Sequence, residues 1–178
     1  MPRMTMAVDP RLESIGALEF DLKQVAHVQR FVFGSRDDQG APARLLIVQF
    51  ESMLPGVKGA YRFGLENATR LGAHEYQTQT GFFNFDEAAA ARPGAEAEHT
   101  QAFFAGKGWN VAGQDFIVAR YARIVDEQKR SEIIVFYYEN VRALGRTRHE
   151  LEQDHDLEGI FRDVRARTRL SFTIRDDG

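Results

Sequence analysis

The strongest structural signal in the chain comes from DFIVARYARIVDEQKRSEIIVFYYENV, residues 115–141. Two runs rich in Val, Ile, Phe and Tyr flank a short charged segment, a pattern typical of a β-hairpin. In the second run, residues 131–141, apolar residues occupy both odd and even positions. Because alternate side chains of a strand point to opposite faces, this strand is expected to bury both faces and to lie inside a sheet.

The polar end of this hairpin indicates a candidate site. A turn symmetric about Gln128 and Lys129 pairs Arg120 with Tyr137 and places Glu139 diagonally on the same face. A guanidinium among apolar neighbours needs partners, because an unpaired buried charge is costly. We therefore expect either a structural ion pair between Arg120 and Glu139 or the polar end of a ligand pocket. A register shift of one residue moves Tyr137 to the other face and removes the cluster.

The rest of the chain predicts more strands than helices. Strand-like segments occupy residues 18–22, 25–33, 45–54, 60–67 and 74–85, and residues 170–175 alternate with Leu170, Phe172 and Ile174 inward. In AYRFGLEN, residues 60–67, Tyr61 and Phe63 share one side, which is typical of a half-buried strand.

Two segments instead have helical periodicity. Residues 86–105 predict a helical insertion interrupted by Pro93, and residues 150–168 predict a C-terminal helix with one apolar face. The predicted fold class is therefore α+β, with a mostly antiparallel β-sheet that is strongly curved or partly closed into a barrel.

Length and composition limit the class of protein. The 178 residues, 43% of them hydrophobic, predict one domain over residues 1–178, with residues 1–16 as a flexible lead. The net charge of −3 is too small to attract nucleic acid or an anionic membrane. No segment reaches the roughly 18 apolar residues of a membrane span, so we expect a soluble cytoplasmic protein without nucleic-acid or membrane partners. Only four of the 23 basic residues are lysines and alanine is abundant, which indicates a GC-rich bacterial genome.

The chain lacks the residues that several kinds of chemistry require. Cysteine is absent, which excludes disulfides, thiol nucleophiles and thiolate metal sites and fits a reducing compartment. No two histidines have the i, i+4 spacing of a helical metal site, so no metal is predicted. GKGW, residues 106–109, lacks the remainder of a phosphate-binding loop, and no dinucleotide-binding glycine motif follows a strand. We accordingly predict no cofactor.

These observations favour a small-molecule-binding domain. Its apolar pocket is expected to be lined by Tyr61, Phe63, Tyr76 and Tyr137, with a polar end at Arg120 and Glu139.

Two alternatives stay open, so the sequence does not decide whether the protein is an enzyme. One is a non-hydrolytic acid–base enzyme, such as an isomerase or cyclase, with His74 or Glu139 as the base beside Tyr76 or Tyr137. On a strand His74 and Tyr76 share a face. The other is an interaction module that forms a homodimer through exposed aromatic residues.

Overall fold

A computed structural model describes residues 4–64 and 67–176 of the chain. The strands are β1 (Met4–Val8), β2 (Glu13–Leu22), β3 (Ala26–Arg36), β4 (Pro42–Met53), β5 (Ala68–Leu71), β6 (His74–Asn84), β7 (Asp115–Ile124), β8 (Ser131–Asn140) and β9 (Phe172–Asp176). The helices are α1 (Phe85–Ala91), α2 (Glu96–Gly106), α3 (Arg148–Glu152) and α4 (Leu157–Ser171), with a 3₁₀ turn at Val141–Leu144.

The strands form an open antiparallel sheet. In the described part of the chain, seven strands pair in the order β2-β3-β4-β8-β7-β6-β5, and β1 pairs separately with β9. The predicted α+β class with a mostly antiparallel sheet is confirmed. The predicted partial closure into a barrel is not found, because β2 and β5 are the two edges of the sheet and each pairs on one side only.

Strand β8 lies inside the sheet, between β4 and β7, as its two-sided apolar pattern predicts. One face of the sheet, here called the α4 face, carries Val135 and Tyr137 and packs against α4, β1 and β9. The opposite face, here called the α1–α2 face, carries Tyr138 and packs against α1 and α2. Each face has its own apolar core, which is why both parities of β8 are buried.

Helices α1 and α2 lie where the helical insertion is predicted, and they begin and end for local reasons. The Asn84 side chain accepts the backbone N–H groups of Asp86 and Glu87 and caps α1. Pro93 and Gly94 separate α1 from α2, because proline cannot continue a helix in its interior. The C-terminal helical region consists of two helices, α3 and α4, rather than one.

Residues 4–8, which belong to the predicted lead of residues 1–16, form β1 and pair with β9. Two expectations about chain segments are wrong. Residues 60–64 form no strand, and residues 65 and 66 lie outside the described residues. Leu170 lies in the last turn of α4 and is 75% exposed, whereas Phe172 and Ile174 are buried as predicted.

The register of the β7–β8 hairpin differs by one residue from the symmetric turn. Arg120 pairs with Phe136 rather than with Tyr137. The loop 126–130 is centred on Gln128, since the Val125 N–H donates to the Ser131 carbonyl at 3.0 Å. Because side chains alternate, this single-residue shift places Tyr137 and Glu139 on the face opposite to Arg120.

The sequence predicts no membrane-spanning segment. Among the described residues, none of the helices is both long enough and apolar enough to span a bilayer.

Candidate ligand-binding groove

A cavity of about 420 Å³ lies on the α1–α2 face of the sheet, and we call it the groove. It is lined by Leu22, Lys23, Arg30, Phe83, Phe85, Ala88, Arg92, Ala95, Glu96, Ala97, Thr100, Phe136 and Tyr138. The helical side contributes the short side chains of Ala88, Ala95 and Ala97 together with the Phe85 ring, and the sheet side contributes the rings of Phe83, Phe136 and Tyr138. Short side chains above large flat ones leave space for a molecule between them.

The aromatic wall of the groove is held in place by ring contacts. The Phe83 and Tyr138 ring centroids lie 5.4 Å apart, and those of Phe85 and Tyr138 lie 5.5 Å apart. Phe85 also meets Phe116 edge-on at 5.8 Å. Since edge and tilted contacts of this kind fix ring orientations, the wall is preformed.

Arg30 forms the polar floor of the groove and is only 4% exposed. Its Nε donates to Gln49 Oε1 at 2.6 Å, and its Nη2 donates to Glu96 Oε2 at 2.9 Å. Its Nη1 donates to the Thr100 hydroxyl. A buried guanidinium is stable only with such partners, so Arg30 ties the first turns of α2 to strands β3 and β4.

A pair of buried carboxyl groups lies further along the same face. Glu51 on β4 pairs directly with Glu132 on β8. The Tyr61 hydroxyl donates to Glu51 Oε1 at 2.7 Å, and Gln49 Nε2 donates to Glu51 Oε2 at 2.8 Å. Within the described residues, Glu132 Oε2 has no hydrogen-bond partner.

The carboxyl pair is electrostatically unusual. Burial raises the pKa of Glu132 to about 8, and the charge of Glu51 adds to this effect while Arg120 opposes it. Burial likewise raises the pKa of Glu51, against the hydrogen bond from Tyr61. Glu132 is therefore mostly protonated at neutral pH and acts as a neutral acid.

Arg120 is held between two aromatic rings. Its Cζ lies 5.7 Å from the Phe63 ring centroid and 6.0 Å from that of Phe136. Its Nη1 donates to Gln77 Oε1 at 3.3 Å. Over residues 4–64 and 67–176, no carboxylate oxygen lies within 4.0 Å of this guanidinium. Among the described residues, Arg120 is thus a positioned cation without a salt bridge.

The sheet surface between the groove and Arg120 is open. Gly81 lies on this face two residues from Phe83, and a Cβ added to it would meet no atom of the described residues within 4 Å. Phe136, which lines the groove, pairs with Arg120 on the neighbouring strand. The sheet surface therefore continues from the groove to Arg120 without a side chain at Gly81 to block it.

The structure brings together only part of the ligand-binding set predicted from sequence. Arg120, Tyr61 and Phe63 all contact residues of the α1–α2 face. Tyr137 and Glu139 lie on the α4 face, so the predicted cluster of these two with Arg120 is wrong.

The partner of Glu139 is Arg167 of α4, not Arg120. Arg167 Nε and Nη2 donate to the two Glu139 carboxylate oxygens at 2.7 and 2.8 Å. The Tyr137 hydroxyl donates to Glu139 Oε1 at 2.8 Å. This bidentate ion pair anchors α4 to the sheet.

The residues considered for acid–base chemistry also lie away from the groove. Tyr76 is fully buried in the core of the α4 face. His74 is half-buried on β6 and pairs with Leu71 of the edge strand β5. Together with Glu139, both belong to the α4 face, so none of them lines the groove.

Sequence reasoning missed four residues of the α1–α2 face: Arg30, Glu51, Glu96 and Glu132. Three of them stand in strands whose other residues are largely apolar, and a charged residue in an interior strand is itself a signal. Glu96 gave no such signal, because a glutamate in the first turn of a helix is ordinary. Within residues 4–64 and 67–176 we find no cluster of three or more His, Asp or Glu side chains placed to hold a metal ion.

Comparisons with known proteins add no identity. The chain matches no protein-family model, no curated protein and no solved structure. The geometry of the groove is accordingly the basis for a functional proposal.

Proposed function

We propose that this protein binds a small organic molecule in the groove. The observation that carries the proposal is a cavity of about 420 Å³ with an aromatic wall and a buried, hydrogen-bonded arginine at its floor. Ligand pockets typically measure roughly 300–1,000 Å³ and combine apolar walls with a few fixed polar groups.

Preorganisation supports the proposal. Arg30 is already bonded to Gln49, Glu96 and Thr100, and the Phe83, Phe85 and Tyr138 rings are already packed. A ligand that enters the groove therefore does not pay for ordering these side chains. The alanines of the helical side keep the space above the rings empty.

The test is to fill the groove from the helix side. Ala88→Leu places a larger side chain in the cavity and preserves helix propensity. The matched control is Ala90→Leu on the exposed side of the same helix. The probe is 1-naphthaleneacetamide, a neutral molecule with an apolar ring system, and its affinity is measured by isothermal titration calorimetry.

We expect Ala88→Leu to weaken binding by at least about tenfold, equivalent to about 1.4 kcal/mol, and Ala90→Leu to leave it unchanged. Equal affinities of wild type and Ala88→Leu contradict the proposal. Thermal unfolding of both variants serves as the folding control, since each substitution adds one leucine to α1.

Acid–base chemistry on the same face is the second candidate, and the Glu51–Glu132 pair favours it. A neutral carboxylic acid donates a hydrogen bond to a carbonyl oxygen, and a neighbouring carboxylate accepts a proton from the adjacent carbon. We expect wild type to exchange the protons next to the carbonyl of 1-(2-naphthyl)propan-2-one for deuterium in D₂O.

The control for this activity is at the hairpin tip. Glu132→Gln is expected to abolish the exchange, whereas Glu127→Gln, at an exposed position, is expected to retain it. Exchange is followed by proton NMR. Equal rates in wild type and Glu132→Gln contradict the catalytic role.

A further inference from the structure

We infer that the ligand is an organic carboxylate, whose apolar body lies in the groove and whose carboxylate pairs with Arg120. This inference rests on the proposed function and adds the chemical class of the ligand. It starts from Arg120, a cation on the α1–α2 face that has a fixed position but no salt bridge in the described residues.

The hydrogen bonds of Arg120 leave room for an anion. Among the described residues, its side chain makes one hydrogen bond, to Gln77 at 3.3 Å. Phe63 and Phe136 flank the planar group and restrict its orientation. A fixed guanidinium fork with unused N–H groups matches the two oxygens of a carboxylate.

The distance from the groove to Arg120 suits a compact molecule. Phe136 contributes to the groove wall, and its ring centroid lies 6.0 Å from Arg120 Cζ. The open surface over Gly81 joins the two. A ring that packs on Phe136 therefore places a carboxylate, one or two bonds away, beside the guanidinium.

The charges that line the groove favour an anion. Lys23, Arg30 and Arg92 are its cations and Glu96 is its anion. Glu96 is paired with Arg30 at 2.9 Å, while the exposed Lys23 and Arg92 have no carboxylate within 4.0 Å in the described part of the chain. The groove is thus positive, which attracts a negatively charged ligand.

The nearby carboxyl groups do not satisfy Arg120. Glu132 lies on the strand next to Arg120 but makes no ion pair with it within 4.0 Å. Its raised pKa, about 8, keeps it mostly neutral at pH 7. Glu51 is occupied by hydrogen bonds from Tyr61 and Gln49.

The experiment compares matched acids and amides. Phenylacetic acid and 1-naphthaleneacetic acid are each titrated beside the corresponding amide, which has the same shape without the charge. The proteins are wild type, Arg120→Gln and Gly81→Leu, with Gly106→Leu as the control. Gly81 and Gly106 both have open space at Cβ and no positive φ, so a leucine fits either backbone.

We expect the acids to bind wild type at least about tenfold more tightly than the amides, the usual gain from a charge-assisted pair. Arg120→Gln is expected to remove this preference and leave amide binding intact. Gly81→Leu is expected to weaken the acids, and Gly106→Leu is expected to behave as wild type.

Failure of the inference and failure of the proposed function give different results. If acids and amides bind wild type with equal affinity and Ala88→Leu weakens both, the carboxylate inference is wrong and the proposal that ligands bind in the groove stands. Acid preference that survives Arg120→Gln likewise overturns it. If Ala88→Leu binds the acids and the amides as tightly as wild type does, both the carboxylate inference and the proposed function are contradicted. Because Gly81→Leu leaves Arg120 itself unchanged, the inference is tested even if Arg120→Gln is unstable.

Discussion

Glu51 and Glu132 face each other across strands β4 and β8, with side chains that are 7% and 5% exposed. Two carboxylates this close in a buried setting repel each other, so at least one prefers the protonated form. Burial and the Glu51 charge together raise the pKa of Glu132 to about 8. The folded protein thus holds a proton that the unfolded chain releases near pH 4.5.

This bound proton predicts that stability falls with rising pH. Between about pH 4.5 and pH 8 the folded state binds more protons than the unfolded state through Glu132, so the free energy of unfolding decreases, by at most about 1.4 kcal/mol per pH unit. Glu132→Gln mimics the protonated acid and removes this contribution. We expect the variant to gain roughly 2 kcal/mol relative to wild type between pH 5 and pH 8.

The measurement is urea unfolding from pH 5 to pH 9, followed by the fluorescence of Trp109, the single tryptophan. Glu127→Gln at the exposed hairpin tip is the control and should parallel wild type. A Glu132→Gln curve that also parallels wild type shows that Glu132 is ionised throughout this range.

The ion pair on the α4 face predicts a structural role separate from binding. Arg167→Gln leaves the Glu139 carboxylate, 5% exposed, without its cation. Removing one member of a buried pair costs about 3–5 kcal/mol, but Arg167 is 38% exposed and water compensates part of the loss, so we expect about 2 kcal/mol.

Chemical denaturation and titration with 1-naphthaleneacetic acid distinguish the two roles. Arg167→Gln is expected to unfold at lower urea and to bind the acid with unchanged affinity. Arg162→Gln, at an exposed position of the same helix, should alter neither quantity. Weaker binding by Arg167→Gln at full folding refutes the assignment of a purely structural role.

Much of the fold was predictable because periodicity reports burial. Strand β8 has apolar residues of both parities and lies inside the sheet, and α4 places its apolar residues on one face. Sheet closure depends on which strands meet at the edges, and no local pattern determines this. The strand β1 was missed because it is short and is stabilised by β9, at the other end of the chain.

The candidate site was less predictable because it depended on register. Lys129 adopts a positive φ of 57°, and the Asp126 carboxylate accepts the Arg130 N–H, so the loop is centred on Gln128 alone. That difference of one residue exchanged Tyr137 for Phe136 as the neighbour of Arg120. The sequence indicated Arg120 as a cation among apolar neighbours in β7 but not its surroundings, which come from distant segments.

Close packing of Trp109 predicts that Gly34 tolerates no side chain. A Cβ at Gly34 would lie 2.9 Å from Trp109 Cζ3 and 3.0 Å from the Arg44 carbonyl oxygen. We expect Gly34→Ala to destabilise the protein by about 1–3 kcal/mol through overpacking. Gly81→Ala, which meets open space, is expected to be nearly neutral. Urea midpoints measure both, and a neutral Gly34→Ala contradicts the packing of Trp109 against β3.

The carboxylate site also predicts a pH dependence of binding. Glu132 is faced by Glu51 on β4, Arg120 on β7 and Glu96 on α2. Its ionisation above about pH 8 adds a negative charge near Arg120, so the affinity for 1-naphthaleneacetic acid should fall by up to about tenfold between pH 7 and pH 9.

Two comparisons assign this fall to Glu132. Glu132→Gln is expected to bind the acid with the same affinity at pH 7 and pH 9, because its side chain stays neutral. The amide should show no pH dependence with either protein, since it carries no charge to be repelled. An equal decline in wild type and Glu132→Gln means that another group controls the site, and the electrostatic link from Glu132 to Arg120 is then wrong.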